Sequence, residues 1–552
     1  MDFDPTEVEP KQSNWLELNV RYKGHGKAEF TSPEGQVFGP FVAKFSETGD
    51  SRIETEYESL ISADPDYRGA DMAFIAGAKV RKTNGKREYS IGGIENNCRE
   101  ISFSSPDGVF TASTVRLVGY TFGQKGVLRF RVRDARFETK NTNAAKYFAI
   151  PLMNFLAELG NRLVADHPLR IYPTPVVPES VPEEHQGIAG LIANKKSEGV
   201  AFTTDQRLHF IERLSDYEER HASLQSGTQR AVTAVLVGEI GSRPVSTFSD
   251  FLSWFPSEML SALSFASGTE VGRLWVEIRD ERGALIRRLH GTSQLPSFSE
   301  SDQLFERYDR MNGNAAMGEF VAAYLAQPPE KRFYLEMAMN HARLGSIGAH
   351  LHLHDILDHL IRGLESLCRE HKLAQQNLST GLSRQTKTSV QDIVDVARRG
   401  LHALAMNAAA SGASDEHRIL NVIKSRAENW HTTENNFGLS VVALLHKFGL
   451  WDADIIDKYL AANPRRDKLP DWASVLTAYR NATIHEGYLD FKTKHDVNDV
   501  LLVCLRLKDA LTRVILKECG YTGTYTPPLR KSYGPEPLDW VQPNTPPSHL
   551  RL

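Results

Sequence analysis

The sequence predicts an α+β multidomain chain: a β-rich, sandwich-like N-terminal half followed by an all-α helical bundle. Three observations predict it. Apolar residues alternate with polar ones across the first 165 positions, the period of a half-buried strand. Prolines crowd positions 168–182, where they forbid a helix and stiffen a connector. After position 331 the apolar residues recur at three- and four-residue steps, the stripe of amphipathic helices.

The composition fits a globular chain. Of 552 residues, 41% are hydrophobic and 24% charged, which excludes wholesale disorder, collagen-like repeats and a coiled-coil rod. No run of apolar residues is long enough for a membrane-spanning helix, so no membrane partner is expected. The start, MDFDPTEVEPKQ, lacks the basic and apolar regions of a signal peptide. Cys98, Cys368, Cys504 and Cys519 are scattered and form no C-x-x-C pair, which fits a reducing cytoplasm rather than a disulfide framework. The net charge of −4 hides an asymmetry: Lys331 onward holds 28 Lys and Arg against 24 Asp and Glu, and the first 330 residues 37 against 45. Thirteen of the 19 histidines also follow residue 330. The C-terminal part is therefore the better candidate for a polyanionic partner.

Residues 1–167 are expected to form the β-rich N-terminal domain. Leu16, Leu18, Val20 and Tyr22 alternate with Glu17, Asn19 and Arg21, and Leu128, Phe130 and Val132 alternate with Arg129, Arg131 and Arg133. The arginine row is read as a solvated strand face, with RNA contact the less favoured reading. Asn84-Gly85 is a hairpin turn. Short strands at this spacing suggest a sandwich or a barrel. Helical periodicity first becomes evident at Tyr147–Val164. A boundary is placed near 168–186. Residues 187–330 read as a mixed α/β regulatory or substrate-sensing region, with a hairpin from Leu274–Arg279 through the Asp280–Gly283 turn to Leu285–Leu289. Pro328-Pro329 marks the next boundary. Residues 331–520 read as the helical domain, with helices over 353–367, 390–404, 440–448, 472–481 and 497–516. Residues 521–552 read as a Pro-rich tail over the surface.

The most informative segment is Tyr479-Arg480-Asn481-Ala482-Thr483-Ile484-His485-Glu486-Gly487. Trp472, Val475, Leu476, Tyr479 and Ala482 form the buried stripe of the helix leading into it. Asn481 and His485, four apart, share one helix face. Arg480 and His485, five apart, are offset by about 140° on an ideal α-helix. A symmetric contact with a second copy would bring a further Arg, Asn and His into one cleft. RNA cleavage without a metal needs a base for the 2′-hydroxyl proton and an acid for the 5′-leaving oxygen, and histidine titrates where it can serve as either. Arg can stabilise the extra charge of the phosphorane, and Asn can orient the imidazole or bind phosphate.

This pattern resembles the R-x(4–6)-H signature of the HEPN superfamily, over roughly residues 331–520. Ile361-Arg362-Gly363-Leu364-Glu365-Ser366-Leu367 resembles the early HEPN helix that carries a Glu, which makes Glu365 a possible helper. The β-rich front and Tyr147-Phe148-Ala149-Ile150-Pro151-Leu152 resemble the ApeA-type anti-phage defence proteins. The resemblance implies a homodimer with a composite active site and metal-independent cleavage of RNA, often tRNA. The products carry a 2′,3′-cyclic phosphate and a 5′-hydroxyl. It also implies a stress or phage response, with a phage-derived trigger. In that reading Arg480, Asn481 and His485 are the catalytic residues, and no cofactor is needed. The rival is a non-catalytic HEPN-like RNA-binding or dimerisation scaffold with a ligand-sensing β domain.

Other constellations are weaker. His350, His354 and Asp358 would share one face of a single helix, and His352, Asp355 and His359 another. Too few ligands converge per face for a zinc site, and H-E-x-x-H is absent, so a polar helix face is expected and no metal; His341 and Glu365 could belong to the same surface. Gly119, Gly123 and Gly126 lack the G-K-[ST] ending of a phosphate loop and read as turns. Arg465, Arg466 and Lys468 could steer phosphate, and His431 could contact a base beside Trp430.

Overall fold

The computed structural model describes residues 20–30, 36–46, 51–56, 61–62, 79–83, 86–90, 98–104, 110–122, 127–156, 200–204, 207–214, 217–226, 230–281, 284–294, 298, 303–305, 310–346, 351–373, 375–377, 383–428, 432–434, 437–450, 472–486, 489, 497–528 and 536–537. They form an α+β chain with antiparallel sheets and two compact units. One comprises Met1–Arg332, Ser346–His350 and Glu518–Pro537; the other comprises Phe333–Gly345, Leu351–Lys517 and Leu538–Leu552.

The first unit holds strands β1 (Val20–Phe30), β2 (Gln36–Phe45), β3 (Ser51–Glu56), β4 (Ile61–Ser62), β5 (Lys79–Thr83), β6 (Lys86–Ser90), β7 (Cys98–Ser104), β8 (Phe110–Phe122), β9 (Val127–Thr139), β10 (Tyr147–Met153), β11 (Val200–Thr204) and β12 (Arg207–Arg213). These are followed by α1 (Tyr217–Gln225), β13 (Val232–Glu239), α2 (Phe248–Leu252), α3 (Met259–Ser267), β14 (Gly272–Arg279), β15 (Leu285–Gln294) and α4 (Arg310–Leu325). β5 and β6 pair Thr83 with Lys86, the two-residue hairpin expected at Asn84-Gly85. β14 and β15 form the second expected hairpin.

The N-terminal strands run β9-β3-β2-β1-β7-β8, and β8 pairs back onto β9. This closed ring is the barrel alternative of the two expected, rather than the sandwich-like form favoured. β8 and β9 are 13 residues each, and β9 is long enough to pair on both edges. One edge of β9 is divided: residues 127–131 pair with β3, and residues 135–138 pair with β15. A single strand therefore joins the ring to the open array β15-β14-β10-β13-β12-β11. Phe41, Ala43, Phe45, Ile53 and Ile101 are buried, with period two along β2. At the join, Phe45 stacks on His290 with centroids 3.5 Å apart, and Phe137 meets both rings edge-on.

Three expectations change here. The helical periodicity from Tyr147 begins instead as β10, a strand buried at every position between β13 and β14. Burial on both faces removes the polar alternation that marks a strand. Its Pro151 lacks an N–H, and the pairing to β14 shifts register between Ala149 and Leu152. β10 also means that strands from both sides of the 168–186 stretch share one sheet. Gly119, read as a turn, lies in β8 opposite Arg131, between register shifts; Gly123 and Gly126 lie outside the described residues. So do Leu16, Leu18 and the side chains of Arg129, Arg131 and Arg133.

The polar face of β14 is buried as well. Glu277 is fully buried and accepts from Arg288 Nε at 3.1 Å and Nη2 at 2.6 Å, and from Arg279 Nε at 3.0 Å. The Arg288 guanidinium lies 4.9 Å from the Trp275 ring centroid. Burial raises the Glu277 pKa, but the two guanidiniums outweigh it and hold the carboxyl below its ordinary value.

The remaining elements are α5 (Pro329–Leu344), α6 (Leu353–Glu370), β16 (Gln375–Asn377), α7 (Arg384–Ala410), α8 (Ser414–Glu428), β17 (Thr432–Glu434), α9 (Phe437–Lys447), α10 (Trp472–Asn481), a π-helical turn at Ala482–Glu486, α11 (Val497–Glu518), β18 (Thr524–Tyr525) and β19 (Glu536–Pro537). Each expected segment is helical with ends within a turn, except that α7 is longer; α5 and α8 match none of those segments. α6 buries Ile356, Leu357, Leu360, Ile361, Leu364 and Leu367. A Cβ at its Gly363 would sit 2.6 Å from Leu511 Cδ2, so the glycine allows α11 to approach closely. The α7–α8 hairpin buries only Ala405 and Ala408. The expected surface tail is partly interior: Tyr525 is fully buried, Thr526 N–H donates to Leu304 O at 2.8 Å, and β18 pairs with β19. No helix among the described residues is long and apolar enough to cross a membrane.

Candidate active site around Arg480

α10 carries the motif. Ala473, Val475, Leu476 and Tyr479 are buried along it, close to the expected stripe. Its seat against α9 depends on Gly438, where a Cβ would fall 1.9 Å from Ala473 O. Thr477 links the two helices, accepting the Gly438 N–H at 3.0 Å and donating to Ala473 O at 2.8 Å.

At Ala482 the α-helix widens into the π turn that ends at Glu486. Thr483 accounts for part of this loosening. Its hydroxyl lies 3.0 Å from Tyr479 O and 3.1 Å from Arg480 O, bonding carbonyls of the preceding turn. A π turn rotates less per residue than an α-helix, so five-residue neighbours come closer to stacking. The backbone offset between Arg480 and His485 is thereby smaller than the α-helical 140° expected. The His485 side chain and Gly487 lie outside the described residues.

Arg480 is 28% exposed, and its Nε donates to Glu365 Oε1 at 3.0 Å. Its Nη1 lies 3.4 Å from Asn481 Oδ1, a weak bond in which Asn481 acts as acceptor. Glu365 Oε2 faces Arg369 Nη2 at 3.9 Å. On α6, Asp358, Arg362, Glu365 and Arg369 share one face, and Asp358 accepts from Arg362 at 2.6 Å. A charged ladder on α6 thus runs up to the motif arginine. The structure brings together Arg480, Asn481 and Glu365. Arg465, Arg466, Lys468, His431 and Trp430 lie outside the described residues.

The histidine cluster differs from its expected form. α6 begins only at Leu353, with His352 as its extended N-cap, so His352 is not on a helical face with those that follow; His350 lies outside the described residues. His352 stacks on His354. His359 instead meets His341 of α5, with their Nδ1 atoms 3.1 Å apart. His359 and Glu365 lie about 120° apart around α6, so His341 and Glu365 do not share one surface as expected. Burial lowers both imidazole pKa values. At His341 the His359 and Arg362 charges lower it further; at His359 the Asp358 charge opposes the shift. No cluster among the described residues could hold a metal. Three thiols, Cys368, Cys504 and Cys519, are buried and free, and burial pushes Cys368 up to about 12.

Sequence reasoning missed Gly438, Arg369 and the His341–His359 pair. Only Gly438 left a local signal, a glycine opening an apolar helix. The chain matches no family model, no curated protein and no solved structure.

Proposed function

We propose that the chain is a metal-independent endoribonuclease of the HEPN type, acting on RNA, with tRNA the favoured substrate, in an anti-phage or abortive-infection response. One observation carries the reading. Arg480 is held by Glu365 from a separate helix, at the start of the π turn whose backbone includes His485. Arg480 would bind the scissile phosphate and stabilise the phosphorane, with Asn481 and Glu365 aligning its guanidinium. His485 would take the 2′-hydroxyl proton, and a second His485 from another copy would protonate the 5′-oxygen. The products would be a 2′,3′-cyclic phosphate and a 5′-hydroxyl. The β-rich unit would answer to a phage-derived trigger and restrain the nuclease in a cytoplasmic setting.

The homodimer in this reading has a candidate surface. Ile393, Val396, Leu404 and Met406 on α7 and Ile419, Val422 and Ile423 on α8 are all exposed. A two-helix hairpin with so little core gains its missing contacts by packing on a second copy as a four-helix arrangement.

The test is incubation of total RNA with the purified chain in EDTA, beside Arg480→Ala and His485→Ala. Discrete fragments with cyclic-phosphate ends from wild type alone support the reading. Equal cutting by the variants overturns the site.

The second reading, a non-catalytic scaffold, is favoured by the same ion pair taken structurally: Glu365 and Arg480 could simply tie α10 to α6. Toxicity on expression that survives His485→Ala would select it.

A further inference from the structure

The first unit contains a cleft of about 450 Å³. It lies outside the site described above and has the chemistry of a ligand site. Its size falls within the range of about 300–1,000 Å³ typical of small-molecule pockets. Three segments meet there: the β11–β12 hairpin supplies Thr204 and His209, the loop after β13 supplies Arg243, and the turn between α2 and α3 supplies Trp254 and Glu258. Arg332, in the first turn of α5, completes the wall.

The wall is built rather than incidental. Thr247 and Asp250 form a capping box that fixes the entry to α2. Trp254 donates its indole N–H to Pro244 O at 2.8 Å, and its ring meets Phe251 and Phe148 edge-on at 4.7 and 5.9 Å. The indole is therefore a fixed platform whose one polar atom is already bonded. The Arg243 guanidinium sits 4.9 Å from its ring centroid. His209, 2% exposed, is bonded through Nε2 to Thr204 Oγ1 at 2.6 Å, which gives the cleft a buried polar wall.

Arg332 indicates the charge of the occupant. Its side chain is 17% exposed, yet among the described residues Nη1 bonds only Leu325 O, at 3.2 Å. Glu258 Oε1 lies 3.8 Å from Nη2, beyond hydrogen-bond reach. Its Nε is buried with no hydrogen-bond partner among the described residues. A guanidinium has five N–H donors, and leaving them unpaired in a recess is costly. Two arginines and one carboxylate line the cleft, so its lining carries more positive than negative charge and favours an anion. The Arg fork matches phosphate or carboxylate geometry, and an indole suits a flat ring.

The geometry points to a binding site for a small ligand that carries an anionic group beside a planar ring, of mononucleotide size and chemistry. This site would be a route by which a small molecule reaches the β-rich unit, and it stands whether or not the chain cuts RNA.

Isothermal titration of the full chain with AMP, adenosine and inorganic phosphate tests it, beside Arg332→Met and Arg243→Met. AMP should bind at one per chain, about tenfold or more tightly than adenosine or phosphate alone. Each variant should weaken AMP about tenfold or more, the loss of a charged hydrogen bond, with an unchanged melting temperature. Arg243→Met guards against a folding defect in Arg332→Met, since Arg243 lies on a loop. Absence of AMP binding at millimolar concentration overturns the proposal. So does phosphate binding as tightly as AMP, or wild-type affinity in both variants.

Discussion

Arg480 Nε and Glu365 Oε1 meet at 3.0 Å across 115 positions of sequence. The carboxylate thus holds the motif arginine by the nitrogen nearest its stem. If Arg480 stabilises a phosphorane, Arg480→Lys should fail nearly as badly as Arg480→Ala, because lysine lacks the planar fork. Both should lose about 100-fold or more in cleavage rate, measured on an end-labelled RNA. Glu365→Gln should cost less, since the amide keeps an acceptor.

The π turn makes a separate prediction. Thr483→Ala removes the hydroxyl that bonds back to the preceding carbonyls; the turn should tighten toward regular α-helix and the Arg480–His485 offset widen toward about 140°. Cleavage should disappear while helical circular dichroism is preserved. Undiminished cleavage would show that the turn has no part in the chemistry.

Gly438 should tolerate no side chain. Gly438→Ala would drive a methyl into the Ala473 carbonyl, a backbone group that cannot swing aside as a flexible side chain would. We expect a loss of about 1–3 kcal/mol, read by urea denaturation, with reduced cleavage because α10 carries the motif.

The buried carboxylate in β14 should behave as a keystone for charge. Glu277→Leu removes the acceptor of two buried guanidiniums and should cost about 3–5 kcal/mol. A melt that monitors the β-rich unit would register it.

The His341–His359 pair predicts acid sensitivity. Both pKa values are lowered from 6.5 by folding, so the unfolded chain binds protons more readily. The stability of their helices is therefore fully present above about pH 6.5 and falls as the pH drops toward the folded values. His359→Asn should flatten that dependence between pH 7.5 and 5.5 in thermal melts. An unchanged slope would remove the pair as its source.

Much of the helical part was legible where a helix carries a one-sided apolar stripe, as from Leu353 to Leu367; α8, which buries no side chain, was not. The β part was less so. Tyr147–Met153 is apolar on both faces, which erases the alternation that marks a strand, and Glu277 and Arg279 look solvent-facing in sequence because their mutual pairing is invisible there. Arg480 and Asn481 were singled out from local pattern, and Glu365 from the resemblance of its segment to the early HEPN helix. Their meeting required a contact between distant helices, and the π turn required knowing that Thr483 bonds back to the preceding carbonyls.

The place of β10 also has a consequence in time. Its partners β13 and β14 follow by about 80 and 120 residues. At about 5–20 residues per second, a ribosome would take on the order of 6–24 s to deliver the second partner after the strand itself. Until β13 is made, seven consecutive residues, Tyr147 to Met153, have neither neighbour that later encloses them, and until β14 is made they lack one. The nascent chain thus passes through a stage in which its stickiest segment waits unpaired, and its yield in cells should depend on chaperone supply more than the finished stability would suggest.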